Sequence, residues 1–154
     1  MQAKIVTLPS FFVAGLTVRT RNSDEFNPAT AQIPALWGKF FATGVAENTP
    51  RRLPESPVYG VYSGYQNGAD GLYNLTAGVA VDAAPGEGAG LAVEAGRYMV
   101  FEARGAMPQA VIAAWMEVWT HFQLHPELVR SFRTDFESYT GLSEAQIYIG
   151  LASE

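Results

Sequence analysis

One acidic residue interrupts an apolar and aromatic segment near the C-terminal end of the chain. Glu137 follows Phe136 directly and lies two residues before Tyr139. A carboxylate buried in such surroundings without a partner is strongly disfavoured. If Glu137 lies in a cleft, we therefore expect a cation to bind there. Aromatic faces add about 0.5–2 kcal/mol for each well-placed cation. The residue types therefore predict a site for a hydrophobic organic cation; the alternative is an exposed carboxylate paired with Arg104 or Arg133.

Tyrosines and tryptophans supply the candidate walls of such a site. Aromatic side chains in strands commonly pack in the core, and the three tryptophans lie on apolar helix faces where core packing is also common. Tyr62 and Tyr139 are the strongest candidates, because strand alternation places them beside Glu137. We predict that the ligand is contacted by Glu137, Tyr139, Tyr62, Gly60, Tyr98, Tyr148, Trp37 and Tyr73.

The chain contains an internal repeat. Val58–Gly64 aligns with Asp135–Gly141, 77 residues further on, and Ile33–Phe41 aligns with Val111–Trp119. The alignment matches Tyr62 with Tyr139 but sets Gly60 against Glu137. Since glycine has no side chain, copy one offers space where copy two offers a carboxylate. We expect this difference between the copies to mark the functional site.

The elements that must position these residues form a β-α-β-β unit in each copy. Alternating β-branched and aromatic residues predict strands, helical spacing of apolar residues predicts two helices, and Asn-Gly and Asp-Gly mark a hairpin turn at 66–71. The predicted elements are a strand over 4–20 bent at Pro9-Ser10, a helix over about 30–44, hairpin strands 58–65 and 72–82, a strand over 91–103, a helix over about 108–124, and strands 133–139 and 145–151.

This arrangement predicts an α+β fold with an antiparallel-rich sheet and two helices on one face. It also predicts a single domain over 1–154, with copy one at about 3–82, a linker at 83–90 and copy two at about 91–152. We expect Phe136 and Tyr59 to pack against Trp115 and Trp37 beneath the helices. Glu137 would then lie on the opposite, uncovered face, with the ligand cleft in front of it.

Composition excludes several classes of function. Fifteen acidic and ten basic residues give a net charge of −5, which argues against direct nucleic-acid binding. The absence of cysteine excludes a thiol nucleophile, a thiolate metal site and a disulfide framework. With no signal-peptide pattern and no membrane-spanning run, the sequence predicts a cytoplasmic protein without membrane contact. We predict no cofactor and no metal, since Glu117, His121 and His125 have helical spacing but face away from the tryptophans.

Six short motifs occur in order along the chain. They are Ile33-Pro34-Ala35-Leu36-Trp37-x-x-Phe40, Tyr59-Gly60-Val61-Tyr62, Gly71-x-Tyr73, Gly96-x-Tyr98-x-Val100-Phe101, Phe136-Glu137-x-Tyr139 and Ile147-Tyr148-Ile149. Together they resemble the motifs of GyrI-like proteins, the effector-binding domains also found in AraC- and MerR-type regulators. The resemblance runs from about Lys4 to Leu151 and is greatest to the stand-alone, integron-cassette type that binds cationic drugs.

The resemblance implies a duplicated fold with a central cleft, hydrophobic cationic ligands, and ligand recognition by Glu137. The resemblance also implies two alternatives to cation binding as the function. Some GyrI-like proteins hydrolyse strained cyclopropane-bearing alkylators, in which case Glu137 and Tyr139 would serve as base and hydrogen-bond donor. A gyrase-inhibitor kind of protein interaction, or an unknown regulatory partner protein acting in trans, is the third possibility.

Overall fold

The computed structural model describes residues 4–68 and 70–152. Residue 3, the predicted start of copy one, and Ala69 of the predicted turn lie outside the described residues, as do both ends of the predicted domain. The described chain forms β1 (Lys4–Leu8), β2 (Phe11–Thr20), α1 (Asn22–Glu25), α2 (Ile33–Ala42), α3 (Val45–Asn48), β3 (Val58–Ser63), β4 (Tyr73–Val81), β5 (Gly90–Val93), β6 (Gly96–Arg104), α4 (Gln109–Leu124), β7 (Thr134–Gly141) and β8 (Glu144–Gly150).

Two predicted strands are each divided into two. The strand predicted over 4–20 breaks at Pro9-Ser10 into β1 and β2, because proline cannot donate a ladder hydrogen bond. The strand predicted over 91–103 breaks before Gly96 into β5 and β6. The short first strand of each copy then pairs with the other copy: β1 pairs with β6, and β5 pairs with β2.

All eight strands form one antiparallel sheet in the order β1-β6-β8-β7-β3-β4-β2-β5. The two halves of this order are equivalent: β1, β6, β8 and β7 on one side correspond in the repeat to β5, β2, β4 and β3 on the other. The central pair of the sheet is therefore β3 and β7, one strand from each copy. In that pair Gly60 lies directly opposite Glu137. The repeat makes these two residues equivalents, so the pseudo-twofold axis of the fold passes between them.

The two longer helices cover one half of the sheet each. Leu36 and Phe40 of α2 pack on Leu75, Ala77 and Val79 of β4. In the other half, the buried residues Val111, Ala114 and Val118 of α4 pack against β6 and β8. The predicted α+β class, the repeated β-α-β-β unit and the two helices on one face are confirmed.

The predicted position of the cleft is wrong. Trp115 reaches Glu137 and Trp37 reaches Tyr139, so the tryptophans lie on the Glu137 face and the helices flank the cleft. Phe136 contacts neither tryptophan.

The opposite face encloses a core of its own. Side chains of β1 and β5, which lie at the two ends of the sheet, join one apolar cluster around Phe136, so the sheet curls to close that face. Tyr59 packs in this cluster, against Phe136 at 5.8 Å between ring centroids. The face that carries Glu137 stays open, because each helix covers only its own half of the sheet.

Candidate functional site

A cavity of about 1010 Å³ lies between α2 and α4, above the central strands. Its walls are mostly apolar and aromatic, and they draw on both copies of the repeat. Glu137 lies on the central strand β7, between the two halves, and is 2% exposed. Among the predicted site residues, the cavity is lined by Glu137, Tyr139, Tyr62, Trp37 and Tyr73.

Three neutral side chains donate hydrogen bonds to the Glu137 carboxylate. The Tyr62 hydroxyl donates to Oε2 at 2.8 Å, and Trp115 Nε1 donates to the same oxygen at 2.7 Å. The Tyr139 hydroxyl donates to Oε1 at 2.6 Å. In the described part of the chain, no Lys, Arg or His forms an ion pair with this carboxylate. Glu137 is thus a buried carboxyl group held by donors that carry no charge.

The pKa values of this group follow from its burial. Burial raises the pKa of Glu137, while the hydrogen bonds from Tyr139, Trp115 and Tyr62 act in the opposite direction by stabilising the ionised form. Burial also raises the pKa of both tyrosine hydroxyls, and the neighbouring carboxylate raises them further. Tyr62 and Tyr139 therefore stay protonated and remain donors at neutral pH.

The aromatic walls obey the pseudo-twofold symmetry. Tyr62 of β3 meets Trp115 of α4 at 5.2 Å between ring centroids, with the rings at 69°. Tyr139 of β7 meets Trp37 of α2 at 5.4 Å and 73°. Each contact joins a strand of one copy to the helix of the other. The two tryptophans differ in their polar contacts. The indole nitrogen of Trp115 donates a hydrogen bond to Glu137, whereas the ring of Trp37 packs beside Gly60.

Gly60 makes room for the carboxylate itself. A Cβ atom at this position would lie 3.0 Å from Glu137 Oε1 and 3.1 Å from Trp37 Cζ2. The space that glycine leaves is therefore occupied by the carboxylate and the indole. Gly60 supports the shape of the site without lining the cavity.

Among the described residues, two other charged groups border the cavity, and both have hydrogen-bond partners within the protein. Glu25 accepts hydrogen bonds from the Thr20 hydroxyl at 2.6 Å and from the backbone N–H groups of Gln32 and Ile33, at the start of α2. The Arg130 guanidinium bonds Asp135 at 2.8 Å.

Asp135 holds two of the residues that line the cavity. Its side chain is fully buried and accepts hydrogen bonds from Arg130, from the Tyr65 hydroxyl at 2.5 Å and from the backbone N–H of Gly150 at 2.7 Å. Tyr65 and Arg130 both line the cavity.

Sequence reasoning did not predict site roles for Glu25, Tyr65, Trp115, Arg130 and Asp135. Trp115 could have been found from the repeat, as the counterpart of Trp37. Strand alternation placed Asp135 on the face of Glu137, but the contacts of Glu25, Tyr65 and Arg130 join loops to strands, and the sequence carries no periodic signal for them.

Two predicted site residues lie away from the cavity. Tyr148 stacks on Phe136 at 4.4 Å, and Tyr98 packs against the same ring at 5.5 Å. The Tyr98 hydroxyl bonds Thr134 Oγ1 at 2.9 Å. Both tyrosines belong to the apolar cluster on the opposite face of the sheet, so the structure does not bring them to Glu137.

Neither a metal cluster nor a membrane helix is found in residues 4–68 and 70–152. No group of three or more His, Asp or Glu side chains there could hold a metal ion. No helix in those residues is both long and apolar enough to cross a membrane.

Comparison with known proteins identifies the family. The model of integron-associated effector binding proteins matches residues 4–151. An integron cassette protein from the mobile metagenome of Vibrio cholerae is 35% identical, with 97% of this chain and 95% of that chain covered and a TM-score of 0.82. No curated protein matches the sequence significantly.

More distant structures share the fold. SAV2435, in a structure with bound tetraphenylphosphonium, is 20% identical, with 99% of this chain and 95% of that chain covered and a TM-score of 0.77. A transcription regulation protein from Staphylococcus aureus MU50 is 20% identical, with 99% of each chain covered and a TM-score of 0.71. The matches confirm the resemblance found in the motifs: this chain belongs to the family of integron-associated effector-binding proteins.

Proposed function

We propose that this protein binds hydrophobic organic cations in the cavity between α2 and α4, with Glu137 as the group that recognises the charge. The observation that carries the proposal is the state of this carboxylate. It is 2% exposed and has three neutral donors, and no cationic side chain among residues 4–68 and 70–152 pairs with it. A ligand cation would supply the missing charge.

The walls suit the rest of such a ligand. Trp37, Tyr62, Trp115 and Tyr139 surround the carboxylate with aromatic rings, whose faces attract cations by about 0.5–2 kcal/mol per contact. The cavity volume of about 1010 Å³ lies at the upper end of the range for drug-sized ligands. The cationic side chain at its edge, Arg130, is paired with Asp135 and leaves the charge of Glu137 unopposed.

The relatives support this reading. The protein SAV2435, which shares the fold, has been captured with tetraphenylphosphonium, an aromatic cation without a hydrogen-bond donor. At 20% identity the likeness extends to the fold alone. The chemical argument for this chain therefore depends on its own carboxylate and aromatic walls.

The decisive experiment compares a cation with a neutral molecule of similar shape. Tetraphenylphosphonium and triphenylphosphine oxide are titrated against the protein, with intrinsic tryptophan fluorescence and calorimetry as readouts. Trp37, Trp115 and Trp119 line the cavity, so a bound ligand should change their emission. We expect the cation to bind at least about tenfold more tightly than the oxide, a difference of about 1.4 kcal/mol.

Glu137→Gln should remove that preference while keeping the shape of the side chain. Glu87→Gln is the matched control, because it changes the net charge equally at an exposed position outside the cavity. Equal binding of tetraphenylphosphonium to the parent and to Glu137→Gln would refute charge recognition by Glu137.

A further inference from the structure

The acceptor positions of the Glu137 carboxylate are nearly all occupied by the protein itself. An ionised carboxylate offers about four acceptor positions, two on each oxygen. Tyr62 and Trp115 fill both positions on Oε2, and Tyr139 fills one on Oε1. One acceptor position remains on Oε1, and this oxygen packs close to Gly60, where a Cβ atom would lie only 3.0 Å from it.

The second carboxylate at the cavity is occupied in the same way. Glu25 Oε2 accepts from the Thr20 hydroxyl at 2.6 Å and from the Gln32 backbone N–H at 2.9 Å. Its Oε1 accepts from the Ile33 backbone N–H at 3.0 Å. Both acids can therefore attract a cation through charge, but each of their four oxygens already accepts a hydrogen bond from the protein.

This arrangement affects the two kinds of organic cation differently. A primary ammonium carries three N–H donors and is strongly hydrated, and it loses that hydration on entering an apolar cavity. Its remaining partners would be phenolic oxygens, and a neutral acceptor forms a weaker hydrogen bond than a free carboxylate does. A cation without N–H donors has no such bonds to lose and gains the same electrostatic attraction.

We propose that Tyr62, Trp115 and Tyr139 make the site selective for cations that lack N–H donors, such as quaternary ammonium, sulfonium and phosphonium ions, over ammonium ions that carry them. The three residues determine specificity because their hydrogen bonds occupy nearly all of the acceptor positions of the carboxylate. The site then attracts a ligand by charge but does not recognise it through a hydrogen bond to Glu137. The inference rests on the proposed function and names the class of cation within it.

The test uses two ligands on one scaffold, naphthylmethylammonium and trimethyl(naphthylmethyl)ammonium, with naphthylmethanol as the neutral reference. Dissociation constants are measured by calorimetry at about pH 7.5, where the amine is protonated. We expect the trimethyl compound to bind at least about tenfold more tightly than the primary ammonium. The methyl groups add apolar contact of their own, so the deciding quantity is the change in this ratio upon substitution.

Tyr139→Phe frees one acceptor position on Oε1 while keeping the ring. It should lower the ratio by about fivefold, the effect of one recovered hydrogen bond. Tyr62→Phe should do the same through Oε2 and serves if the first variant does not fold. Tyr59→Phe is the matched control, since its ring lies in the cluster on the opposite face, and it should leave the ratio unchanged.

The outcomes separate the two proposals. If neither cation binds more tightly than naphthylmethanol, the proposed function fails. If the cations bind more tightly than the neutral compound but the ratio is unchanged in both Tyr139→Phe and Tyr62→Phe, cation binding stands and the saturation proposal is overturned. A ratio that falls in these two variants and not in Tyr59→Phe supports it.

Discussion

Tyr62 and Tyr139 occupy equivalent positions in the two copies of the repeat and donate hydrogen bonds to the two different oxygens of one carboxylate. Each tyrosine belongs to a central strand, and each packs against the tryptophan of the other copy's helix. The carboxylate of Glu137 therefore ties both halves of the molecule to a common point. Perturbing it should affect both ligand binding and folding.

The close packing at Gly60 gives the first prediction. Gly60→Ala would place a methyl group 3.0 Å from Glu137 Oε1 and 3.1 Å from Trp37 Cζ2, so one neighbour must shift. We expect a loss of roughly 1–3 kcal/mol in the free energy of unfolding and several-fold weaker cation binding. Gly38→Ala on α2 is the control, because a Cβ atom added at Gly38 would have no neighbour within 4 Å. Unchanged affinity in Gly60→Ala would contradict the tight fit.

Replacing Glu137 by a residue without hydrogen-bond acceptors should lower the free energy of unfolding more than removing only its charge. In Glu137→Gln the amide oxygen can accept from Trp115 and Tyr62, while its N–H₂ group donates to the Tyr139 hydroxyl. In Glu137→Leu the three donors lose their buried acceptor, at about 1–3 kcal/mol for each one left unpaired. Urea denaturation should therefore show Glu137→Leu as clearly less stable than Glu137→Gln. Equal stability of the two variants would mean that the three hydrogen bonds do not matter to the fold.

The raised pKa of Glu137 predicts opposite pH dependences for folding and binding. A carboxyl that binds its proton more tightly in the folded state stabilises the fold most below its ordinary pKa of 4.5, and that contribution is lost as the pH rises through the raised value. Cation affinity needs the ionised form and should increase over the same interval.

This dependence can be measured by following the midpoint of urea unfolding and the affinity for tetraphenylphosphonium from about pH 4 to about pH 8. Other carboxyl groups titrate in part of this range, so the informative quantity is the difference between the parent and Glu137→Gln. The variant should lack both trends. A parent affinity that stays flat across the range would show that Glu137 does not control binding through its charge.

Breaking the buried ion pair between Asp135 and Arg130 should cost more stability than breaking an exposed one. Asp135 is fully buried and Arg130 is 9% exposed, so Asp135→Asn leaves a guanidinium without its counter-ion. We expect a loss of about 3–5 kcal/mol by chemical denaturation. Glu94→Gln removes one partner of the exposed pair with Arg133 and should change stability by no more than about 1 kcal/mol. Similar losses in the two variants would contradict the difference in burial.

An exposed ring at the mouth of the cavity should contribute to binding without contributing much to folding. Phe26 is 72% exposed and meets Trp119 edge-on at 6.4 Å between ring centroids. Since a ligand would cover this ring, Phe26→Ala should weaken the binding of tetraphenylphosphonium several-fold and change the unfolding midpoint little. Leu124→Ala, at an equally exposed position outside the cavity, is the control and should leave affinity unchanged. Parent-like affinity in Phe26→Ala would exclude the ring from the site.

The repeat carried most of the predictable information about the site. Aligning the copies set Gly60 against Glu137, and the structure pairs these residues directly across the central strands. Strand alternation also predicted that Tyr62 and Tyr139 share a face with Glu137, which their hydrogen bonds confirm. These inferences held because they depend on local periodicity and on an internal comparison, both of which are present in the sequence.

The face of the sheet on which the helices pack could not be predicted in the same way. Alternation separates Glu137 from Phe136 but does not say which of them faces a helix. Aromatic residues on both faces made either choice plausible, and the curl of the sheet, which gives Phe136 its own apolar surroundings, is a long-range property. Tyr98 and Tyr148, which we predicted to contact the ligand, lie in that second core.

One carboxylate, and not two, lies beside the pseudo-twofold axis, because the axis passes between Glu137 and a glycine, Gly60. In a homodimer of half-length chains, the two residues that face each other across the axis would be identical. Such a dimer could hold two adjacent carboxylates, which repel, or two glycines, which carry no charge. Joining two copies in one polypeptide lets each copy carry its own residue at this position, so that one carboxylate can face a glycine across the axis.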